Sequence, residues 1–394
     1  MALNIPFDSV PEDFEPATKP ELICADTLKI LAILPFQFDA DTLPTGGDDP
    51  RVIRLREIAM EIYYGARWGA EELRAAGLDV SLRVVDAEPD SLGGIWTLED
   101  IFWADVVMGP LRRQALDSAM GVTRLLAKPH WSLTRNVASQ NAGSHVFIAE
   151  PDETAAARAL GAAAARLHPG EEVTMLYTGL HDADLEAAFA RGFAAARDSA
   201  DFPLQSMLVN PRFAEGVAAR LDTGRTHIFA VPAGKASRAM IADLQYELLK
   251  ADTVSTRLFM NPEVRDFEFI DRRLMDSTKM VTPVADWVNW GDTLVWERVA
   301  LYREITGTDP SDYALLAHDV VVESANWCEE RIAVPGPLAR RFEWKSGGVD
   351  RPWRNTAWKV ERYENGWWTD VDAAVVQPVD SAGQEVLPLW RPQR

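Results

Sequence analysis

With 394 residues, 47% of them hydrophobic and 25% charged, the chain is too long for one compact core and suits two lobes of a globular protein. Its 60 acidic against 40 basic residues leave a net charge of −20, which opposes binding to nucleic acid or anionic lipid. The two cysteines, Cys24 and Cys328, exclude a disulfide-rich scaffold and read as inert small hydrophobes, and no apolar run approaches the roughly 20 residues that span a bilayer.

Residues 1–25 are proline-rich and acidic without sustained periodicity, and read as a leader or linker. Glu21-Leu22-Ile23-Cys24 looks superficially like a lipoprotein site, but no basic or apolar stretch precedes it, so lipidation is not expected. Order begins at Leu28-Lys29-Ile30-Leu31-Ala32-Ile33-Leu34, an almost continuous apolar run ended by Pro35: a strand buried on both faces. A helix follows over 52–76, its apolar face carrying Leu55, Ile58, Ile62, Ala66, Ala70 and Leu73, with Gly77 as the stop. Val80, Leu82 and Val84 then alternate with polar neighbours, which predicts a half-exposed strand near a sheet edge.

The rhythm continues with a strand at Val106-Val107-Met108, closed by Gly109-Pro110, and a helix from Arg113 to Leu126. Short strands before Trp131 and at His145-Val146-Phe147-Ile148 complete the first half. The second half has helices near 152–167, 182–197, 212–221 and 235–249. Its strands lie at Val173–Tyr177, Met207–Val209, His227–Val231 and Leu258–Met260. After Met280-Val281-Thr282-Pro283 come helices near 291–306 and 311–327, a single strand over Asn355–Tyr363, and a proline-containing tail over 373–394. Strict strand–helix alternation in two series predicts an α/β protein of two doubly wound parallel-sheet lobes.

Catalytic signatures are missing. The sequence contains no G-x-G-x-x-G after a strand, no G-x-x-x-x-G-K-[ST], no H-E-x-x-H, no C-x-x-C and no G-x-S-x-G. Its six histidines are scattered without metal-ligand spacing, so no metal, no cofactor and no enzyme activity are expected.

A family likeness runs through the chain in order. Ile33-Leu34-Pro35-Phe36, then Glu61-Ile62-Tyr63-Tyr64-Gly65-Ala66-Arg67-Trp68-Gly69-Ala70-Glu71-Glu72-Leu73, Gly77-Leu78-Asp79-Val80 and Val107-Met108-Gly109-Pro110-Leu111 resemble the first lobe of type I periplasmic binding proteins, the leucine/isoleucine/valine-binding group. Tyr302–Pro310 and Tyr313–Asp319 are similar to that family's penultimate helices. Within it the sequence looks most like the binding-protein-like domains that Bacteroidetes-type bacteria attach to LysM modules. The resemblance implies a three-crossing hinge, with one lobe from 26–146 and 279–333 and the other from 147–278 and 334–372. It also implies a ligand held between the lobes, at the C-terminal ends of the parallel strands, by closure.

By that resemblance four post-strand loops carry the site. The first presents Arg112 or Arg113 where amino-acid binders carry a serine; either guanidinium can pair with a carboxylate or phosphate, and either can equally be a solvated helix start. Ser132 and Thr134 match the segment that holds the ligand carboxylate, with helix capping as the alternative, and Trp131 is an apolar wall or a core residue. His181, with Leu180 as competitor, takes the place of an aromatic. Glu263 resembles the glutamate that binds a ligand ammonium, although a helix start alone explains an acid there.

One further feature lies outside those loops. Arg340, Arg341, Lys345, Arg351, Arg354, Lys359 and Arg362 are interleaved with Trp344, Trp353, Trp358, Trp367 and Trp368. Trp353, Arg354, Trp358 and Trp367 are candidates for contact with a partner protein, a glycan or another copy; the alternative is a final strand pair with its tryptophans turned inward. The sequence thus points to a solute-binding protein of the cell envelope that takes an amino acid or other small carboxylated molecule. Its rival is a structural or protein-interaction component with the same fold. An effector domain of a transcription regulator is disfavoured by the acidity and by the lack of a helix-turn-helix.

Overall fold

A computed structural model describes residues 27–36, 50–87, 96–135, 137, 140–177, 182–197, 202–209, 217, 219, 221–233, 238–251, 253–290, 292–328, 335–348 and 350–371. The chain divides into two compact units, Met1–Glu150 with Thr293–Asn355, and Pro151–Asp292 with Thr356–Arg394.

In the first unit the strands are β1 (Leu28–Leu34), β2 (Val80–Asp86), β3 (Val106–Met108), β4 (His130–Ser132), β5 (Val146–Ile148), β11 (Trp344–Ser346) and β12 (Trp353–Asn355). They form one sheet in the order β11-β12-β5-β4-β3-β1-β2. All neighbouring pairs are parallel except β11 with β12. Helices α1 (Pro50–Ala75), α2 (Leu98–Trp103) and α3 (Arg113–Leu125) alternate with the early strands. Burial of β1 at nearly every position is what a central strand covered on both faces requires. The half-exposed strand expected near an edge is β2, which is the edge.

The second unit repeats the plan. Strands β6 (Val173–Tyr177), β7 (Gln205–Leu208), β8 (His227–Val231), β9 (Thr256–Met260), β10 (Val281–Val284), β13 (Lys359–Glu364) and β14 (Trp367–Asp370) are ordered β14-β13-β10-β9-β8-β6-β7. Here β13 and β14 run antiparallel, so each parallel core carries an antiparallel edge. Helices α4 (Glu153–Leu167), α5 (Ala183–Ala196), α6 (Arg238–Lys250) and α7 (Arg272–Ser277) belong to this unit, while α8 (Thr293–Thr306) and α9 (Asp312–Ala325) return to the first. The helix expected near 212–221 falls mostly outside the described residues.

Glycines set the closest helix contacts. A Cβ on Gly65 of α1 would lie 2.0 Å from the Ala314 carbonyl oxygen of α9, and one on Gly69 would lie 2.9 Å from that of His318. In the second unit a Cβ on Gly161 of α4 would meet the Phe189 oxygen at 2.1 Å, and one on Gly192 of α5 the Arg158 oxygen at 2.0 Å.

Four sequence expectations change. β10 hydrogen-bonds to β9 and β13, so 279–292 belongs to the second unit and not the first. The segment up to Asn355, expected in the second lobe, supplies β11 and β12 to the first sheet. The single strand read over Asn355–Tyr363 is therefore two, β12 and β13, in different sheets, with the crossing at Thr356-Ala357-Trp358; alternation persists across the break, so periodicity alone merges them. Finally, Cys328 is disulfide-bonded, against the expectation of two inert thiols; the one other cysteine, Cys24, lies outside the described residues.

Candidate functional site

In the first unit the C-terminal ends of β3 and β4 are neighbours, because the two strands pair in parallel. Gly109 follows β3 with φ +78, donates its N–H to Trp131 O at 3.0 Å, and would place a Cβ 2.4 Å from Ile33 O. A side chain is excluded there on both counts. Below it His130 is fully buried, and burial pushes its imidazole down to about 3 despite the bond to Gly109.

The chain then enters α3 through Arg112, an extended N-cap residue with no side-chain cap bond, and no acid occupies the first turn. Arg112 and Arg113 are both exposed. The described start of α2 differs: Thr97 and Asp100 form a capping box and Glu99 adds a second acid. Helices α4, α7 and α9 also begin on capping side chains, Asp152, Asp271 and Ser311. A cation at the positive end of a helix dipole is unfavourable by roughly 0.3–1 kcal/mol, so the dipole does not account for either arginine at this helix start.

Beside it, Ser132 is fully buried; its hydroxyl donates to Thr134 O at 2.9 Å and accepts from Thr134 N at 3.3 Å. In that closed turn the Ser132 hydroxyl serves the local backbone, and half-buried Thr134 is the more exposed of the two. Trp131 is core: it stacks on Trp327 at 4.8 Å and 15° and packs against Phe147, Phe342 and Trp344.

In the second unit β6, β8 and β9 are parallel, so their C-terminal ends share one side of the sheet. Asn261 follows β9 and is 2% exposed. Its Nδ2 donates to Ala233 O, its Oδ1 accepts from Glu263 N at 3.1 Å, and its carbonyl accepts from Thr282 Oγ1 at 3.1 Å. Asn261 thereby caps the short 3-10 turn Pro262–Asp266 and fixes half-buried Glu263 in its first turn. His181 and Leu180 lie outside the described residues. Asp182, which follows them, begins α5 without a side-chain cap bond, as Arg112 does for α3.

No family model and no curated protein matches the sequence. Solved structures do match. A candidate branched-chain amino acid ABC transporter protein from Rhodospirillum rubrum aligns over 88% of this chain and 99% of its own, with 14% identity and a TM-score of 0.53. Another from Chromobacterium violaceum covers 84% and 99%, with 16% identity and a TM-score of 0.52. Full-length LpoA from Haemophilus influenzae aligns over 91% of this chain and 60% of its own, with 12% identity and a TM-score of 0.50. The chain has the type I periplasmic-binding-protein fold.

Of the tryptophan-rich stretch read from sequence, Trp353 belongs to the first unit and Trp358 and Trp367 to the second. Trp353 is 6% exposed, stacks on Phe147 at 5.9 Å and 6°, and donates Nε1 to Ser144 O at 3.1 Å. Trp358 is half-buried and donates to Asp152 O at 2.9 Å. Trp367 is half-buried on β14, where Trp368 packs on Tyr363 and lies under Arg265. Trp353 therefore serves the core; of the four candidates, Arg354 is the one that is exposed.

Sequence reasoning missed a buried charge cluster in the first unit of this periplasmic-binding-protein fold. His318 is 0% exposed, with Nδ1 2.7 Å from Asp319 Oδ1 and Nε2 2.6 Å from Glu72 Oε2. Arg298 closes on Glu72 at 2.5 Å, and the Asp319 carboxylate accepts the backbone N–H groups of Leu338, Ala339 and Arg340. The adjacent His318-Asp319 pair was the one available signal, and its partner Glu72 is 246 residues away in sequence. Also unforeseen is an open pocket of about 460 Å3 between α1 and α8, lined by Ile53, Met60, Tyr64, Tyr302 and Thr306. Among the described residues no group of histidine, cysteine and carboxylate side chains could hold a metal, and no helix is long and apolar enough to cross a membrane.

Proposed function

We propose that the protein is a non-catalytic binding protein that takes a small carboxylated solute, an amino acid or a molecule like it. The ligand is held by the loops that follow the parallel strands. The start of α3 carries this reading: backbone N–H groups without a side-chain cap, two exposed arginines and no acid, directly after β3. Thr134 adds a hydroxyl on the neighbouring loop, Glu263 is the proposed partner of a ligand ammonium, and His181, outside the described residues, is proposed in the place of an aromatic contact. The fold shared with branched-chain amino acid transporter proteins supports solute binding.

Residence in the periplasm or cell envelope is part of the same proposal. The disulfide at Cys328 supports it, because such bonds persist in oxidising compartments. An association with LysM-bearing envelope proteins fits that location.

The test is calorimetric titration of the purified protein with aliphatic and acidic amino acids and short peptides. Saturable heat that vanishes in Arg113→Ala and survives in a variant of a remote exposed arginine is expected. A second reading, an interaction component of the envelope, is favoured by the likeness to LpoA and by the closed turn at Ser132. Absence of heat from every ligand, in a folded protein, selects it.

A further inference from the structure

The hairpin of β11 and β12 forms one edge of the first sheet, and among the described residues no strand pairs with the outer side of β11. Its two faces differ sharply. Inward lie Trp344, Trp353 and Asn355, packed on Phe147 or hydrogen-bonded to Ala149. Outward and exposed lie Arg341, Lys345, Arg351 and Arg354. Lys345 stands directly opposite Arg354 in the antiparallel register, a like-charged cross-strand pair. Such pairs are destabilising, by up to about 1 kcal/mol.

Within residues 341–355 the acids are Glu343, exposed and just before β11, and Asp350 in the turn, engaged by Arg124. Four exposed cations against these two carboxylates, one of them paired with Arg124, is a local excess of the opposite sign to the net charge of −20.

We propose that this hairpin docks an extended acidic segment of a partner polypeptide, which adds alongside β11 and places its carboxylates against Lys345, Arg354 and Arg341. Two features select that occupant. The open edge of β11 offers backbone donors and acceptors that only a polypeptide strand can match. The net charge of −20 repels an extended anionic surface such as a membrane, whereas one strand meets only the cationic hairpin. A second copy is disfavoured because β11 would bring cation against cation.

The test uses the full chain and a fluorescent peptide alternating glutamate with valine. At about 0.01 M salt, where the screening length is about 30 Å, saturable binding is expected. It should weaken about tenfold or more at about 0.15 M salt, where the screening length is about 8 Å. The double variant Lys345→Glu/Arg354→Glu should abolish it while unfolding normally in urea, since both side chains are exposed. A peptide of the same sequence with alternate backbone nitrogens methylated should bind at least about tenfold more weakly, because it cannot complete strand pairing. Failure of the parent peptide to bind, or indifference to the charge reversal, overturns the proposal. Equal binding of the methylated peptide, or preference for phosphatidylglycerol vesicles over the peptide, overturns it in favour of a plain anion surface.

Discussion

The imidazole Nε2 of His130 lies 2.6 Å from the carbonyl oxygen of Gly109, beneath the loop that leads into α3. A carbonyl only accepts, so Nε2 carries the proton and Nδ1, 2.9 Å from Thr123 Oγ1, is the acceptor of a neutral ring. Burial holds that ring neutral down to about pH 3, whereas in the unfolded chain it protonates near 6.5. Between those values the unfolded state binds the extra proton, so stability falls with acidification, at up to about 1.4 kcal/mol per pH unit from this group. Urea melts from pH 7 to pH 4 should show this slope, and His130→Gln should reduce it by about one proton equivalent. An unchanged slope would mean that another group carries the acid sensitivity.

The cluster around His318 has the opposite sign on one side. Burial alone would lower the His318 value, but its hydrogen bonds to Asp319 and Glu72 outweigh this and raise it above 6.5. Burial alone would raise Glu72, but His318 and Arg298 outweigh it and lower Glu72 below 4.5. The histidine's contribution is complete below 6.5 and is lost as pH rises through its folded value; that of Glu72 is complete above 4.5 and is lost as pH falls through its own. Both are therefore present between 4.5 and 6.5. Glu72→Ala should cost about 3 kcal/mol in that window, because it removes the carboxylate that stands between the buried imidazolium and Arg298 and leaves His318 with Asp319 alone. Across a pH series the penalty should shrink on the alkaline side.

The parallel cores of both sheets were legible because β1, β3, β8 and β9 are short apolar runs punctuated by proline, glycine or asparagine. The antiparallel edges were legible only in part. β11 is three residues long, too short to show a period; the hairpin of β13 and β14, by contrast, carries a readable signal in Asn365-Gly366, both at positive φ, and agrees with the final strand pair offered as one reading of that stretch. At the candidate site Arg112 and Arg113 were named from the family resemblance, by their place after β3, and not from any pattern of the residues themselves. The closed turn at Ser132 could not be read, since the same hydroxyl pattern serves a ligand or the local backbone equally well.

Helix packing in the second unit gives a sharper mechanical test. Gly161 and Gly192 each sit where a Cβ would overlap a carbonyl oxygen of the facing helix, at 2.1 and 2.0 Å. Neither oxygen belongs to a flexible side chain, so α4 and α5 must separate to admit one. Gly192→Leu should destabilise this unit by about 3 kcal/mol, with Gly192→Ala intermediate. Because the first unit has its own core, native-state hydrogen exchange should show loss of protection in β6 and β8 before β1 and β3.

Two of the three crossings are fastened together, once on each side. On the first unit's side Asn355 is 0% exposed; its Nδ2 donates to Ala149 O at 3.2 Å and Arg341 O at 2.9 Å, and its Oδ1 accepts from Glu343 N at 3.1 Å. On the second unit's side Trp358 Nε1 donates to Asp152 O at 2.9 Å. Residues 149–152 and 355–358 thus run as one bonded ribbon, continuing the parallel pairing of β5 with β12. Asn355→Ala leaves two carbonyls and one amide without their partner in a dry setting, which should cost about 3 kcal/mol or more. Trp358→Phe keeps the ring and removes one bond, about 1 kcal/mol. Urea melts of the two variants should show Asn355→Ala as the more damaging by about 2 kcal/mol; equal midpoints would mean that water replaces the lost Asn355 bonds.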